Sequence, residues 1–146
     1  MKMALARRAP PWFWIVTLLL LLWQAMGLLS FYEHVTNGAE AMGAVPSDYD
    51  RQLIASLPRW YDWVYAVATW GGLAAGIALV LRRAIAVPLA IVSLAAIVVM
   101  FGWMFLATDI IAMKGWWTTY FPAAIFAIGA FTLWFAMTAK ARGWIV

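Results

Sequence analysis

Residues 65–100 read YAVATWGGLAAGIALVLRRAIAVPLAIVSLAAIVVM and predict the central part of the fold. It holds two apolar runs that are separated only by Arg82-Arg83-Ala84. A helix needs about 20 apolar residues to cross the hydrocarbon core of a membrane, and each run belongs to an apolar stretch of that size. Because the link is so short, the two helices must be antiparallel neighbours. The stretch therefore predicts a transmembrane helical hairpin.

One further apolar stretch flanks the hairpin on each side, so the predicted helices span about residues 11–32, 59–81, 85–108 and 119–139. The chain of 146 residues is 67% hydrophobic and 11% charged, whereas a soluble domain is about 25% charged. Proline suits the first turn of a helix, and one stands near each predicted start: Pro11, Pro58, Pro88 and Pro122. We predict an all-α fold, a single membrane domain over residues 1–146 built as a bundle of four transmembrane helices.

The charged residues sort by side. Acidic residues fall in or beside the first and third loops: Glu33, Glu40, Asp48, Asp50, Asp62 and Asp109. Most basic residues lie near the two chain ends and in the second loop: Lys2, Arg7, Arg8, Arg82, Arg83, Lys140 and Arg142. Basic residues concentrate in loops that stay in the cytoplasm. This pattern predicts a multi-pass protein of the bacterial inner membrane with both termini cytoplasmic.

The first loop, residues 33–57, is the only sizeable segment predicted outside the membrane. Ser47 can cap a helix whose first turn contains Asp48 and Asp50, and acidic residues there suit the helix dipole. Leu53, Ile54 and Leu57 then lie on one face. We expect a short amphipathic helix on the outer surface of the membrane.

Small residues form a smooth face on two of the predicted helices, at spacings that let another backbone approach closely. These residues are Ala68, Gly72 and Gly76 on the second helix and Ala123, Ala127 and Ala130 on the fourth. They predict either packing within the bundle or a docking face for a partner.

Gln24 in the first helix and Ser93 in the third are the clearest polar residues inside the predicted spans. A buried amide or hydroxyl in lipid must find a hydrogen-bond partner. These residues therefore predict either a contact between helices or a ligand contact, for instance with a quinone or a sugar hydroxyl.

Four residues at the outer helix ends could hold a divalent cation or relay a proton: Glu33, His34, Asp62 and Asp109. Their spacing matches no metal motif, and solvation at the rim explains them equally well, so no metal is predicted. The sequence has no cysteine. It also contains no recognisable nucleophile–base pair or phosphate-binding glycine loop. We expect no enzymatic activity and no cofactor.

The central hairpin resembles a group of small bacterial inner-membrane proteins with four transmembrane helices and unknown mechanism, which are often loosely labelled sugar transporters. The resemblance depends on Leu57-Pro58-Arg59-Trp60, Trp70, Gly76, Leu81-Arg82-Arg83, Ala86, Pro88 and Ser93-Leu94. It implies the same four-helix inner-membrane layout and supplies no catalytic residue.

The sequence favours an accessory or assembly subunit that packs against a larger inner-membrane complex, for instance an energy-transducing one. A first alternative is an oligomeric transporter of a small solute such as a sugar, with Gln24, Ser93 and the tryptophans along its route. A second is a membrane sensor that acts through the outer loop. The expected partners are the lipid bilayer and a larger membrane-protein complex or further copies of this chain. Nucleic acid is not expected, because the net charge of +4 fits basic residues facing anionic lipid headgroups.

Overall fold

The computed structural model describes residues 6–42 and 45–146 and folds them as an all-helical bundle. The helices, in chain order, are α1 (Pro11–Asn37), α2 (Asp48–Ser56), α3 (Arg59–Val80), α4 (Ala86–Ala107), α5 (Ile110–Lys114) and α6 (Tyr120–Ala141). Turns of 3-10 helix, Gly38–Met42 and Trp116–Thr119, follow α1 and precede α6. The prediction of four long apolar helices is confirmed, because α1, α3, α4 and α6 are long and apolar enough to cross a membrane.

The first helix is longer than its hydropathy indicated. It continues to Asn37 rather than ending near Tyr32, because the polar residues that follow still support helical turns. Thr36 Oγ1 donates to Tyr32 O at 2.7 Å, and the Asn37 amide donates to the Glu33 carboxylate. The helix ends at Gly38, whose φ of +57° suits a residue without a Cβ.

Helix α2 begins at a capping box. Ser47 Oγ accepts the main-chain N–H of Asp50 at 3.1 Å, and the Asp50 carboxylate accepts the Ser47 N–H at 2.9 Å. This reciprocal pair satisfies two donors that a helix start otherwise leaves unpaired. Leu53 is buried and Ile54 half-buried, so one side of α2 faces the protein.

The long helices form an arc rather than a closed ring. Helix α3 packs along both α1 and α4, and α4 packs along α6. Within the described residues, α1 and α6 form no comparable contact along their backbones. The two outer helices of the arc therefore leave a gap between them over part of their length.

At one end of the bundle, large side chains close this gap. The rings of Phe13 in α1 and Phe135 in α6 stack with centroids 5.4 Å apart, and Trp144 lies edge-on to Phe13 at 5.8 Å. Phe13, Phe135, Leu79 and Ile145 are all almost fully buried. The main apolar core of the protein therefore lies at this end.

The same end is joined by main-chain hydrogen bonds between three segments distant in sequence. Val146 N donates to Arg82 O at 3.0 Å, Ala84 N donates to Val146 O at 2.8 Å, and Arg7 N donates to Gly143 O at 2.8 Å. The Arg82 guanidinium also donates to Arg7 O. We call Arg7, residues 82–84 and residues 143–146 the clasp, and this end of the bundle the clasp end. The opposite end, which carries α2 and α5, is the loop end.

Candidate ligand-binding cavity

A cavity of about 130 Å³ lies at the centre of the bundle, between α1, α3, α4 and α6. An engineered apolar cavity of about 150 Å³ binds benzene, so this one can hold a compact ring. Most of its wall is apolar, including Trp23, Met26, Ile97, Met100, Phe101, Phe121 and Ile125. The polar residues in the wall are Gln24, Ser30, Tyr65, Thr69, Ser93 and Thr132.

Gln24 and Ser93, singled out from the sequence, meet at Gly72. A Cβ added to Gly72 would overlap the Gln24 amide oxygen, and it would lie 2.8 Å from Gln24 Cδ and 3.2 Å from Ser93 Oγ. Glycine at position 72 therefore leaves room for the Gln24 amide where three helices meet, and a larger residue there would displace this amide. Gln24 comes from α1, Gly72 from α3 and Ser93 from α4.

The hydroxyl groups of the wall donate to main-chain carbonyls. Ser93 Oγ donates across the helix interface to Ala68 O at 2.6 Å. Within their own helices, Thr69 Oγ1 donates to Tyr65 O at 3.0 Å, Thr132 Oγ1 to Ile128 O at 2.8 Å and Ser30 Oγ to Met26 O at 3.1 Å. Ser93 thus links α3 to α4, as the interhelix alternative predicts, and each of these hydroxyl protons is already engaged.

The Gln24 amide differs from these hydroxyls. No hydrogen bond joins it to any other group in the described part of the chain, although it lines the cavity. An amide side chain offers two N–H donors and a carbonyl acceptor. Because Gln24 stands at the middle of α1 and is half-buried, its amide offers unused hydrogen-bonding capacity to a mainly apolar cavity.

The cavity reaches the surface of the bundle through the gap between α1 and α6. The tilted rings of Trp23 and Phe121 are in contact across part of this gap, with centroids 6.2 Å apart. The lining residues Met26 and Phe121 remain 63% and 66% exposed. At the clasp end, the stacked Phe13 and Phe135 close the same pair of helices. The cavity thus opens sideways, where lipid chains would surround the bundle.

The small-residue face of α3 is buried inside the bundle, whereas that of α6 is largely exposed. Ala68, Gly72 and Gly76 are buried, and a Cβ added to Gly76 would lie 3.1 Å from Leu21 of α1. This face of α3 therefore packs inside the bundle. On α6, Ala123 and Ala127 are exposed and Ala130 is half-buried.

The four residues of the candidate outer-rim site form separate pairs. His34 Nε2 lies 2.9 Å from an Asp62 carboxylate oxygen, Glu33 pairs with Asn37, and Asp109 accepts from the Tyr49 hydroxyl at 2.7 Å. Among the residues that the structure describes, no group of three or more His, Cys, Asp or Glu could hold a metal ion. The arrangement is one of paired surface groups rather than a cation site.

Sequence reasoning missed the strongest ion pair of the loop end. The ammonium of Lys114 in α5 donates to the buried carboxylate of Asp50 in α2. Lys114 and the Ser47 main chain hold the pKa of Asp50 down at about 2. Partial burial and the hydrogen bond to Asp109 raise the pKa of Tyr49 to about 12. The two partners of each pair are far apart in sequence, so no local pattern could reveal them.

The cavity itself could not be predicted from the sequence. Thr69 and Thr132 are ordinary helix residues in an apolar context, and Trp23 lies beside Gln24 as one tryptophan among 11. The sequence feature that pointed to the cavity was a polar residue, Thr69, three residues before Gly72 on the small-residue face of α3.

Comparison with known proteins finds no matching family model, no matching curated protein and no matching solved structure. The resemblance to small bacterial four-helix membrane proteins stays a prediction.

Proposed function

We propose that this chain is a non-enzymatic membrane protein that binds one small neutral molecule within the bilayer, as the binding unit of an oligomeric small-solute carrier. The observation that carries the proposal is the central cavity with the unengaged Gln24 amide in its wall. Gln24 and Ser93, which the transport alternative places along a route, both line that cavity. An accessory subunit is less well supported, because Ala68, Gly72 and Gly76 are already buried against other helices.

A pair of matched glycine substitutions tests this proposal. A side chain at Gly27 would enter the cavity, since its Cβ meets only Thr69 Cγ2 at 4.0 Å, whereas a Cβ at Gly102 meets nothing within 4 Å. Cyclohexanone serves as the probe, and its binding is measured as a rise in the thermal unfolding temperature of the purified protein. We expect stabilisation of the wild type and of Gly102→Leu, and none of Gly27→Leu. Equal responses of both variants would contradict binding in the cavity.

A second candidate, the accessory subunit, is favoured by one observation on α6. Ala123 and Ala127 are exposed on one face, so another helix could approach this backbone closely. The test is purification from the native membrane in mild detergent with Ala127→Phe and, as control, Ala95→Phe at an exposed site on α4. A stoichiometric partner that only Ala127→Phe removes would support this role. Recovery of this chain without a stoichiometric partner would count against it.

We also propose that both termini lie in the cytoplasm of a bacterium and that α2 lies on the outer surface of its inner membrane. The support is the charge distribution, with Arg82, Arg83 and Arg142 at the clasp end and Glu40 and Asp48 at the loop end. Because the chain has no cysteine, single cysteines report its orientation. A membrane-impermeant maleimide applied to intact spheroplasts should label Glu40→Cys and not Lys140→Cys. The reverse pattern would invert the proposed orientation.

A further inference from the structure

We infer that the cavity selects a neutral molecule with a mainly hydrocarbon ring and one hydrogen-bond acceptor, such as a ketone oxygen, that the Gln24 amide would bind. This inference rests on the proposed function, because it names the class of ligand for the same cavity. The inference follows from two observations: which hydrogen-bond donors in the cavity wall are still free, and where the cavity opens.

Few side-chain donors in the cavity wall remain free. The hydroxyl protons of Ser30, Thr69, Ser93 and Thr132 are donated to main-chain carbonyls. The Tyr65 hydroxyl is uncommitted among the described residues, but its ring packs towards the loop end, 5.1 Å from that of His34. Tyr65 precedes Gly72 by seven residues on α3, which is about 10 Å along a helix axis. A compact ligand beside Gly72 can therefore meet the amide of Gln24, and the indole N–H of Trp23 is the other uncommitted donor in the described wall.

The apolar wall disfavours a sugar. Each sugar hydroxyl placed against Ile97, Met100 or Ile125 would lose its water without gaining a partner, which lowers the binding constant by about tenfold. An ion is disfavoured for a similar reason, because no charged residue lines the cavity. A molecule with a single polar atom avoids both penalties.

The opening supports the same class of ligand. The cavity reaches the surface between α1 and α6, beside the exposed residues Met26 and Phe121. A molecule that dissolves in lipid chains can arrive by this sideways route without crossing the clasp end, where Phe13 and Phe135 are stacked. A polar solute would have to come through hydrocarbon.

Two isosteric probes test the inference. Cyclohexanone and methylenecyclohexane have the same shape and differ only in whether the ring carries an oxygen or a CH₂ group. We expect the wild type to bind cyclohexanone about fivefold more tightly than methylenecyclohexane, because one hydrogen bond ordinarily raises a binding constant by about that factor. In Gln24→Met, which keeps the length of the side chain, the ratio of the two binding constants should fall about fivefold. Comparing ratios between proteins cancels the different partition of the probes into detergent.

A second measurement needs no substitution. The chain has two glutamines, Gln24 and the exposed Gln52 of α2, so ¹⁵N-glutamine labelling gives two side-chain amide signals. Cyclohexanone should shift the Gln24 signal and leave that of Gln52 unchanged, whereas methylenecyclohexane should shift the Gln24 signal much less.

The outcomes separate the inference from the proposed function. If neither probe binds in a way that Gly27→Leu blocks, the proposed function fails. If both probes bind equally well to the wild type and to Gln24→Met, the proposed function stands and the selection by Gln24 is overturned. Stabilisation by D-glucose that Gly27→Leu abolishes would overturn the proposed ligand class.

Discussion

The two ends of the bundle are held by different chemistry. At the clasp end, α1 and α6 meet through stacked aromatic rings, and main-chain hydrogen bonds join three distant segments. At the loop end, buried apolar residues such as Leu53 and Ile110 are accompanied by three pairs of ionisable side chains, Asp50–Lys114, Tyr49–Asp109 and His34–Asp62. The cavity lies between these two ends, on the side where α1 and α6 part.

The two ends should differ in their response to pH. Apolar packing and main-chain hydrogen bonds contain no group that titrates in the ordinary pH range, so the clasp end should keep α1 and α6 together under most conditions. The side-chain pairs of the loop end depend on charge and are individually weaker. We therefore expect a change of pH to weaken the loop end more than the clasp end.

The largest expected effect is at the clasp end. Phe135→Ala removes a ring that is 1% exposed, whereas the control Phe126→Ala removes one that is 47% exposed on the same helix. The first substitution should lower the free energy of unfolding by about 3 kcal/mol or more, because a packed ring is replaced by a void. The second should change it by about 0.5 kcal/mol. Unfolding by titration with a denaturing detergent, followed by circular dichroism, measures both. Equal losses would mean that the clasp end is not the packed core.

The next effect is at the loop end and depends on pH. Asp50→Asn removes the ion pair with Lys114. Because the folded-state pKa of Asp50 is lowered from 3.8 to about 2, its ionised form stabilises the attachment of α2 above pH 3.8. This contribution, about 2 kcal/mol by the size of the shift, is lost as the pH falls towards 2.

Hydrogen exchange of the α2 amides measures this local stability. Asp50→Asn should exchange faster than the wild type at neutral pH, and the two should converge near pH 2. The control is Asp48→Asn, an exposed residue in the same first turn, for which a small change is expected. A pH-independent difference for Asp50→Asn would exclude the ion pair as its cause.

Much of the fold could be predicted because bilayer thickness fixes the length of an apolar helix. The runs around Arg82-Arg83-Ala84 therefore located α3 and α4 closely. The end of α1 could not be placed, since hydropathy reports where lipid contact ends and α1 continues through polar residues to Asn37.

The site was predicted only in part. Gln24 and Ser93 stood out as polar residues in apolar runs, but their meeting at Gly72 depends on how three helices pack. Hydrophobic periodicity carries little information about packing when the core and the lipid are both apolar.

A smaller effect is expected at the cavity itself. Alanine in place of an interior helical glycine gains about 1 kcal/mol in helix propensity. Gly102→Ala should show this gain, because its Cβ meets nothing within 4 Å. Gly72→Ala should not show this gain in stability, because its Cβ would displace the Gln24 amide and lie 3.2 Å from Ser93 Oγ. The measurements are the unfolding titration and the ¹⁵N shift of the Gln24 amide. A Gly72→Ala protein that is as stable as Gly102→Ala, with an unmoved amide signal, would contradict the junction of Gln24 and Ser93 at Gly72.

The smallest effect should come from the pair of Tyr49 and Asp109 at the loop end. Tyr49→Phe removes the hydrogen bond of 2.7 Å to the exposed carboxylate of Asp109 and leaves the ring in place. Water can replace the lost donor, so local stability should fall by about 0.5 to 1 kcal/mol.

Because the pKa of Tyr49 is raised from 10.0 to about 12, the neutral phenol stabilises α2 below pH 10, and this contribution disappears as the pH rises towards 12. Hydrogen exchange of α2 should therefore accelerate at high pH in the wild type and less in Tyr49→Phe, after correction for intrinsic exchange. The control is Tyr120→Phe, at a residue that is 70% exposed. An effect of Tyr49→Phe as large as that of Asp50→Asn would mean that the stability of the loop end depends on this hydrogen bond as much as on the Asp50–Lys114 ion pair.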